Sequence, residues 1–136
     1  MTKVKTSNLT GIALDWAVAK CEGVNEEAFR LYYTPSEPSD LDTIGYPEFH
    51  YSTIWAQGGP IIERENITVR PVFHAERTES GTDIYRQDGW AAHIEPKAFW
   101  VTPRPFTGPT PLIAAMRCYV MSRFGDEIEI PQELFE

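Results

Sequence analysis

The spacing of apolar positions predicts two main helices. Between Leu9 and Glu22, the residues Leu9, Ile12, Ala13 and Trp16 recur at helical intervals, and Leu14, Val18 and Cys21 widen the apolar face. Thr6 or Ser7 can cap this helix and Gly23 can end it. On this reading Trp16 joins the core, while Asp15 and Lys20 face water. In the second helix Thr110 is a natural N-cap and Pro111 sits in the first turn, where proline is tolerated. Leu112, Ala115, Met116, Tyr119 and Val120 share one face, and the helix is expected to stop at Gly125.

Strand signals fill the rest. Residues 66–74 are rich in β-branched and aromatic side chains, and Pro71 assigns that strand to an edge or a bulge. Trp90–Ile94 reads as its antiparallel return, after a polar excursion over 76–88. Ala28–Tyr33 and 99–101 read as further short strands, and 126–131 as a strand or extended tail. Prolines and turn formers make 34–48 a surface loop, with Tyr46, Phe49 and Tyr51 returning the chain to the core. The expected fold is a single α+β domain over residues 1–136, with two main helices packed on a small, mostly antiparallel sheet.

One stretch fits neither period. Trp55-Ala56-Gln57-Gly58-Gly59-Pro60-Ile61-Ile62-Glu63-Arg64-Glu65 combines an indole, a side-chain amide, two glycines and alternating charge. It reads as a shaped surface rather than a plain helix or strand, because adjacent glycines let another group approach the backbone. Trp55 offers a stacking face and Arg64 a forked cation. A helix starting at Thr110 would add amides suited to an anion, and Arg117 a further cation. Trp55, Gln57, Gly58, Gly59, Arg64, Thr110 and Arg117 are therefore the expected ligand-binding residues. Trp55, Gln57, Arg64 and Thr110 are expected to border one cavity.

Composition narrows the ligand. Twenty acidic residues against twelve basic ones give a formal charge of −8, which disfavours general binding to nucleic acid or anionic membrane. Cys21 and Cys118 read as two reduced core thiols. The amino terminus lacks the apolar run of a signal peptide, and no stretch approaches membrane-spanning length, so a soluble intracellular protein is expected.

No catalytic signature stands out. His50, His74 and His93 show no metal-ligand spacing, although His74 and His93 could face each other on paired strands. There is no nucleophile elbow, P-loop or dinucleotide fingerprint. Glu63, Glu65, Asp83 and Asp88 could supply acid or base, as exposed carboxylates in any acidic chain could. No catalytic residue, metal site or cofactor is assigned.

Three segments carry a family resemblance: Lys3–Thr6 with Leu9–Gly23, Tyr51–Glu65, and Gly108–Val120. In that order they resemble the NinX-like family of small tailed-phage and prophage proteins of unknown function. The resemblance implies a phage accessory protein acting in the cytoplasm of the infected bacterium, and it brings no catalytic residues to transfer. Joined to the recognition chemistry above, it gives the expectation of a protein that binds a nucleotide-derived small molecule and sequesters a host immune signal. A nucleotide-cleaving or modifying enzyme, and an interaction module that inhibits a host factor, are the alternatives. A homo-oligomer is compatible with each.

Overall fold

A computed structural model describes residues 1–32, 49–94 and 106–132. The loop expected at 34–48 and the strand expected at 99–101 lie outside these residues. The described chain runs β1 (Thr2–Lys5), a 3-10 turn (Thr6–Asn8), α1 (Gly11–Cys21), α2 (Glu26–Tyr32), α3 (Trp55–Arg64), β2 (Ile67–Arg77), β3 (Asp83–Ile94), β4 (Phe106–Gly108), α4 (Pro111–Phe124) and β5 (Glu127–Ile130). It is an α+β fold, and α1 and α4 are its longest helices.

Helix α4 is the hub. Leu112, Ala114, Ala115, Met116, Cys118, Tyr119 and Val120 are all buried, packing against α1, α3 and the sheet formed by β2, β3 and β4. Its start follows the sequence: Thr110 Oγ accepts from the Ile113 amide at 3.1 Å, and Pro111 occupies the first turn. A second, two-stranded sheet pairs β1 with β5 antiparallel, Val4 opposite Ile128. Thr6, expected as a helix cap, instead clips this sheet to the end of α4. Its amide donates to the Asp126 carbonyl at 2.8 Å, and its buried hydroxyl is 3.1 Å from the Gly125 carbonyl. Thr10 precedes α1 and makes no side-chain cap.

Three expectations give way. Residues 55–64 form a helix, not an irregular surface. Gly58 and Ile61 are buried on one face, while Pro60, Glu63 and Arg64 stand on the solvent side, so the amphipathic period outweighs the two glycines and the proline. Ala28 and Phe29 belong to helix α2, not a strand. The Asn25 carboxamide caps it by accepting from the Ala28 amide at 2.7 Å, and Glu26 pairs with Arg30 one turn on at 2.8 Å. Asp15 is 2% exposed rather than solvated. Its Oδ1 accepts from the Ser52 amide at 2.9 Å and from the Ser52 hydroxyl at 2.8 Å, which ties α1 to the turn leading into α3.

Candidate functional site

Helices α3 and α4 lie side by side and run parallel. Gly58 packs on Leu112, Arg64 reaches Tyr119, and Glu65 accepts from Arg123, so contacts climb both helices together. Their amino termini therefore open at the same end of the molecule. The close approach depends on Gly58, where an added Cβ would collide with the Tyr51 carbonyl oxygen and come within 2.6 Å of Leu112 Cδ2. Trp55, in the first turn of α3, is 56% exposed at that end. Gln57 braces the approach to it: its side-chain oxygen accepts from the His50 amide at 2.6 Å, and the His50 carbonyl accepts from the Ile54 amide at 2.9 Å. Below this turn, Asp15 Oδ2 lies 4.0 Å from His50 Nδ1, with both side chains buried. Burial pushes the Asp15 carboxyl up to about 7 against the Ser52 hydrogen bonds, which lower it.

The β2–β3 hairpin brings more aromatic surface to the same end. β2 leaves α3 at Asn66 and runs back alongside it. Trp90 of β3 pairs with Gly108, which packs against Ala114 in the first turns of α4. The level of Pro71 and Trp90 thus marks the start of α4, and the hairpin continues past it. At that level two residues of β3, Asp88 and Gly89, oppose Val72. Gly89, at φ 82°, supplies the left-handed geometry of the bulge. Ile67 and Val69 pack on the core, so alternation places Pro71, Phe73 and Ala75 on the helix side of the sheet. Cross-strand register adds Tyr85 and Gln87 to that face. Phe73 is 55% and Tyr85 71% exposed. Sequence reasoning missed both, although period-2 alternation continues through 73–77 into what looked like a polar excursion.

The expected site residues separate into two groups. Trp55, Gln57 and Gly58 lie in the first turn of α3, Gly58 packs on Leu112 two residues beyond Thr110, and an added Cβ at Gly59 would meet nothing within 4 Å among the described residues. Arg64 does not join them. Nine residues of helix, about 13 Å along the axis, separate it from Trp55. It grips Glu22 through both terminal nitrogens at 3.0 and 2.7 Å and Glu65 through Nε at 2.9 Å. Tyr119 donates to the same Glu22 carboxylate at 2.6 Å. The Arg64 hydrogen bonds hold the Glu22 carboxyl below its ordinary range, whereas burial first, and then Glu22, raise the Tyr119 phenol.

Arg117 is also engaged internally. Its Nε donates to the Leu9 carbonyl at 2.7 Å and Nη1 to the Thr107 carbonyl at 2.8 Å, riveting α4 to the 3-10 turn and β4. Arg117→Ala is expected to lower unfolding free energy by about 2 kcal/mol in urea melts, because two carbonyls lose a charged donor at once. Arg117→Lys should recover less than half, since one ammonium cannot reproduce the fork.

Other candidates disperse. His93 pairs with Thr68 and His74 with Arg86, so the two histidines are not opposite each other. His74 and Arg86 both contact Glu76, at 3.1 and 2.8 Å. Cys21 and Cys118 are free thiols, both pushed up to about 12 by burial. Among the described residues no three His, Cys, Asp or Glu side chains gather to hold a metal, and no helix is long and apolar enough to cross a membrane. A cavity of about 560 Å³ lies between Ser7, Phe106 and Asp126, and one of about 200 Å³ between Trp16, Lys20 and Phe29. Neither is lined by Trp55, Gln57, Arg64 or Thr110.

The family model for bacteriophage P22 NinX matches residues 5–123. The chain belongs to that family. The match runs from the end of β1 almost to the end of α4, and so takes in both helix starts and the whole β2–β3 hairpin. No curated protein matches the chain.

Proposed function

We propose that this phage protein binds a nucleotide-derived small molecule at the end where α3 and α4 begin, and so withholds a host immune signal inside the infected bacterium. The observation that supports this reading is the set of exposed aromatic side chains at that end: Trp55 at the start of α3, and Phe73 and Tyr85 on the hairpin's helix-side face. Stacking of a base on such a face contributes about 1–3 kcal/mol per base. The partial positive charge at the two helix starts would attract phosphate. Arg64 and Arg117 have internal partners and are assigned to stability instead. The charge of −8 favours a small ligand over a polymer, whose many phosphates would be repelled.

The test is incubation with small-molecule extract from infected cells, followed by native mass spectrometry. The expected result is one retained mass, recovered chemically intact after denaturation. A released ligand of altered mass, or turnover at substoichiometric protein, would instead favour the enzyme reading through Glu63 or a histidine. Phe73→Ala is expected to weaken retention about tenfold, the loss of one stacking contact, with little change in melting temperature because the side chain is mostly exposed.

A further inference from the structure

Among the described residues the hairpin beyond the bulge offers an unpaired edge as well as an aromatic face. Phe73–Arg77 and Asp83–Gln87 pair only with each other among the described residues, and β2 ends the sheet order. A two-stranded ribbon by itself is marginally stable in water. The direction of its backbone groups follows from the turn. The Thr78 amide donates inward to the Thr82 carbonyl at 2.9 Å. Alternation therefore points the N–H and C=O groups of Arg77, Ala75 and Phe73 outward. It also points the Pro71 nitrogen outward, where a missing hydrogen costs the ladder nothing. Proline thus closes the inner part of the edge and leaves Phe73–Arg77 unpaired on that side among the described residues.

We propose that this edge pairs antiparallel with the same edge of a second copy, about a two-fold axis at Ala75. Register then places Phe73 opposite Arg77 of the second copy, a ring against a guanidinium. It places His74 opposite Glu76 of the second copy, a hydrogen-bonding pair. Ala75 meets its own counterpart, and its small side chain lets the backbones close. Pro71 falls opposite the turn, so its missing donor is not required. The charge distribution fits as well. Two acidic chains repel over most of their surfaces, but residues 67–94 carry three arginines against four acids in a protein of net charge −8. The arm is where two copies meet with little electrostatic cost. Because the axis stands perpendicular to the sheet, Phe73 and Tyr85 of both copies would line one continuous face. The pairing itself needs no ligand.

Sedimentation equilibrium of the full chain, without added ligand, tests this. The expected result at micromolar concentration is twice the monomer mass of 15.5 kDa. Ala75→Pro removes one outward donor, leaves the intrachain ladder intact, and should return the protein to monomer. Ala75→Cys should form an intermolecular disulfide under mild oxidation, in excess of wild-type protein, because facing Cα atoms at a hydrogen-bonded pair lie about 5.5 Å apart. Should Ala75→Pro fail to fold, the Ala75→Cys cross-link decides. A monomeric wild type, a dimer that survives Ala75→Pro, or a mixture with no cross-link through Ala75→Cys would overturn the proposal.

Discussion

Replacing Gly58 by alanine lowers unfolding free energy by about 1–3 kcal/mol, while the same change at Gly59 leaves it unchanged or raises it by up to about 1 kcal/mol. The two glycines are adjacent in one helix and have equal helix propensity, so the contrast isolates packing. A methyl at Gly58 meets the Tyr51 carbonyl, which is backbone held by the His50–Ile54 turn, and the Leu112 side chain. Leucine can rotate away, but the carbonyl can move only with its turn. A methyl at Gly59 meets nothing within 4 Å among the described residues and simply gains the helix preference of alanine over glycine. Urea melts of the two variants beside wild type measure the difference. Equal effects at both positions would mean that α3 does not sit as close to Tyr51 and α4 as described. Because the collision lies three residues from Trp55, Gly58→Ala should also weaken ligand retention, whereas Gly59→Ala should leave it unchanged.

The second large effect is a pH dependence traced to Asp15. Its carboxyl is raised from 3.8 to about 7, chiefly because burial disfavours the charge. Below the ordinary aspartate range both folded and unfolded chains hold the proton, and no penalty exists. From about pH 4 to 7 the unfolded chain ionises while folded Asp15 stays protonated, so stability falls as pH rises. Above 7 the penalty is complete. At about 1.4 kcal/mol per unit, the loss across the window amounts to a few kcal/mol. Glu22 acts with the opposite sign at the acid end. Its lowered carboxyl contributes stability that is lost as pH falls through its folded value, so measurements between pH 5 and 8 separate the two. Asp15→Asn keeps an oxygen for the Ser52 amide and hydroxyl and cannot ionise. Its unfolding free energy should be flat over this window relative to wild type and exceed it at pH 8. A parallel slope in both would remove Asp15 as the cause.

Much of the fold was legible because local and global preferences agree. Helix α4 announces itself through Thr110, Pro111 and its apolar face and appears where its pattern placed it, whereas β2, announced by its β-branched run, continues to Arg77 and β3 begins at Asp83, so both strands extend into the expected polar excursion. Helix α3 was obscured because Gly58, Gly59 and Pro60 are poor helix formers. What stabilises it is tertiary: Gly58 under Tyr51, Ile61 in the core, and Arg64 on Glu22. Asp15 was misread because a lone carboxylate in an apolar helix is ordinarily solvated, and its partner Ser52 lies thirty-seven residues away. The same limit explains the split among candidate site residues. Residue type marked Trp55 and Arg64 alike as recognition groups, but only a parallel α3–α4 pair puts one at an exposed helix start and the other in a clamp with Tyr119. Strand β1 pairs with β5 across most of the chain, a contact that neither short segment signals by itself.

The most direct test compares ligand retention by native mass spectrometry for wild type, Trp55→Ala and Arg64→Ala exposed to the same extract of infected cells. A ligand site at the shared start of α3 and α4 predicts a bound mass on wild type and on Arg64→Ala, with the arginine variant losing thermal stability, and no bound mass on a normally folded Trp55→Ala. A bound mass that survives in Trp55→Ala, or that disappears only in Arg64→Ala, would contradict it.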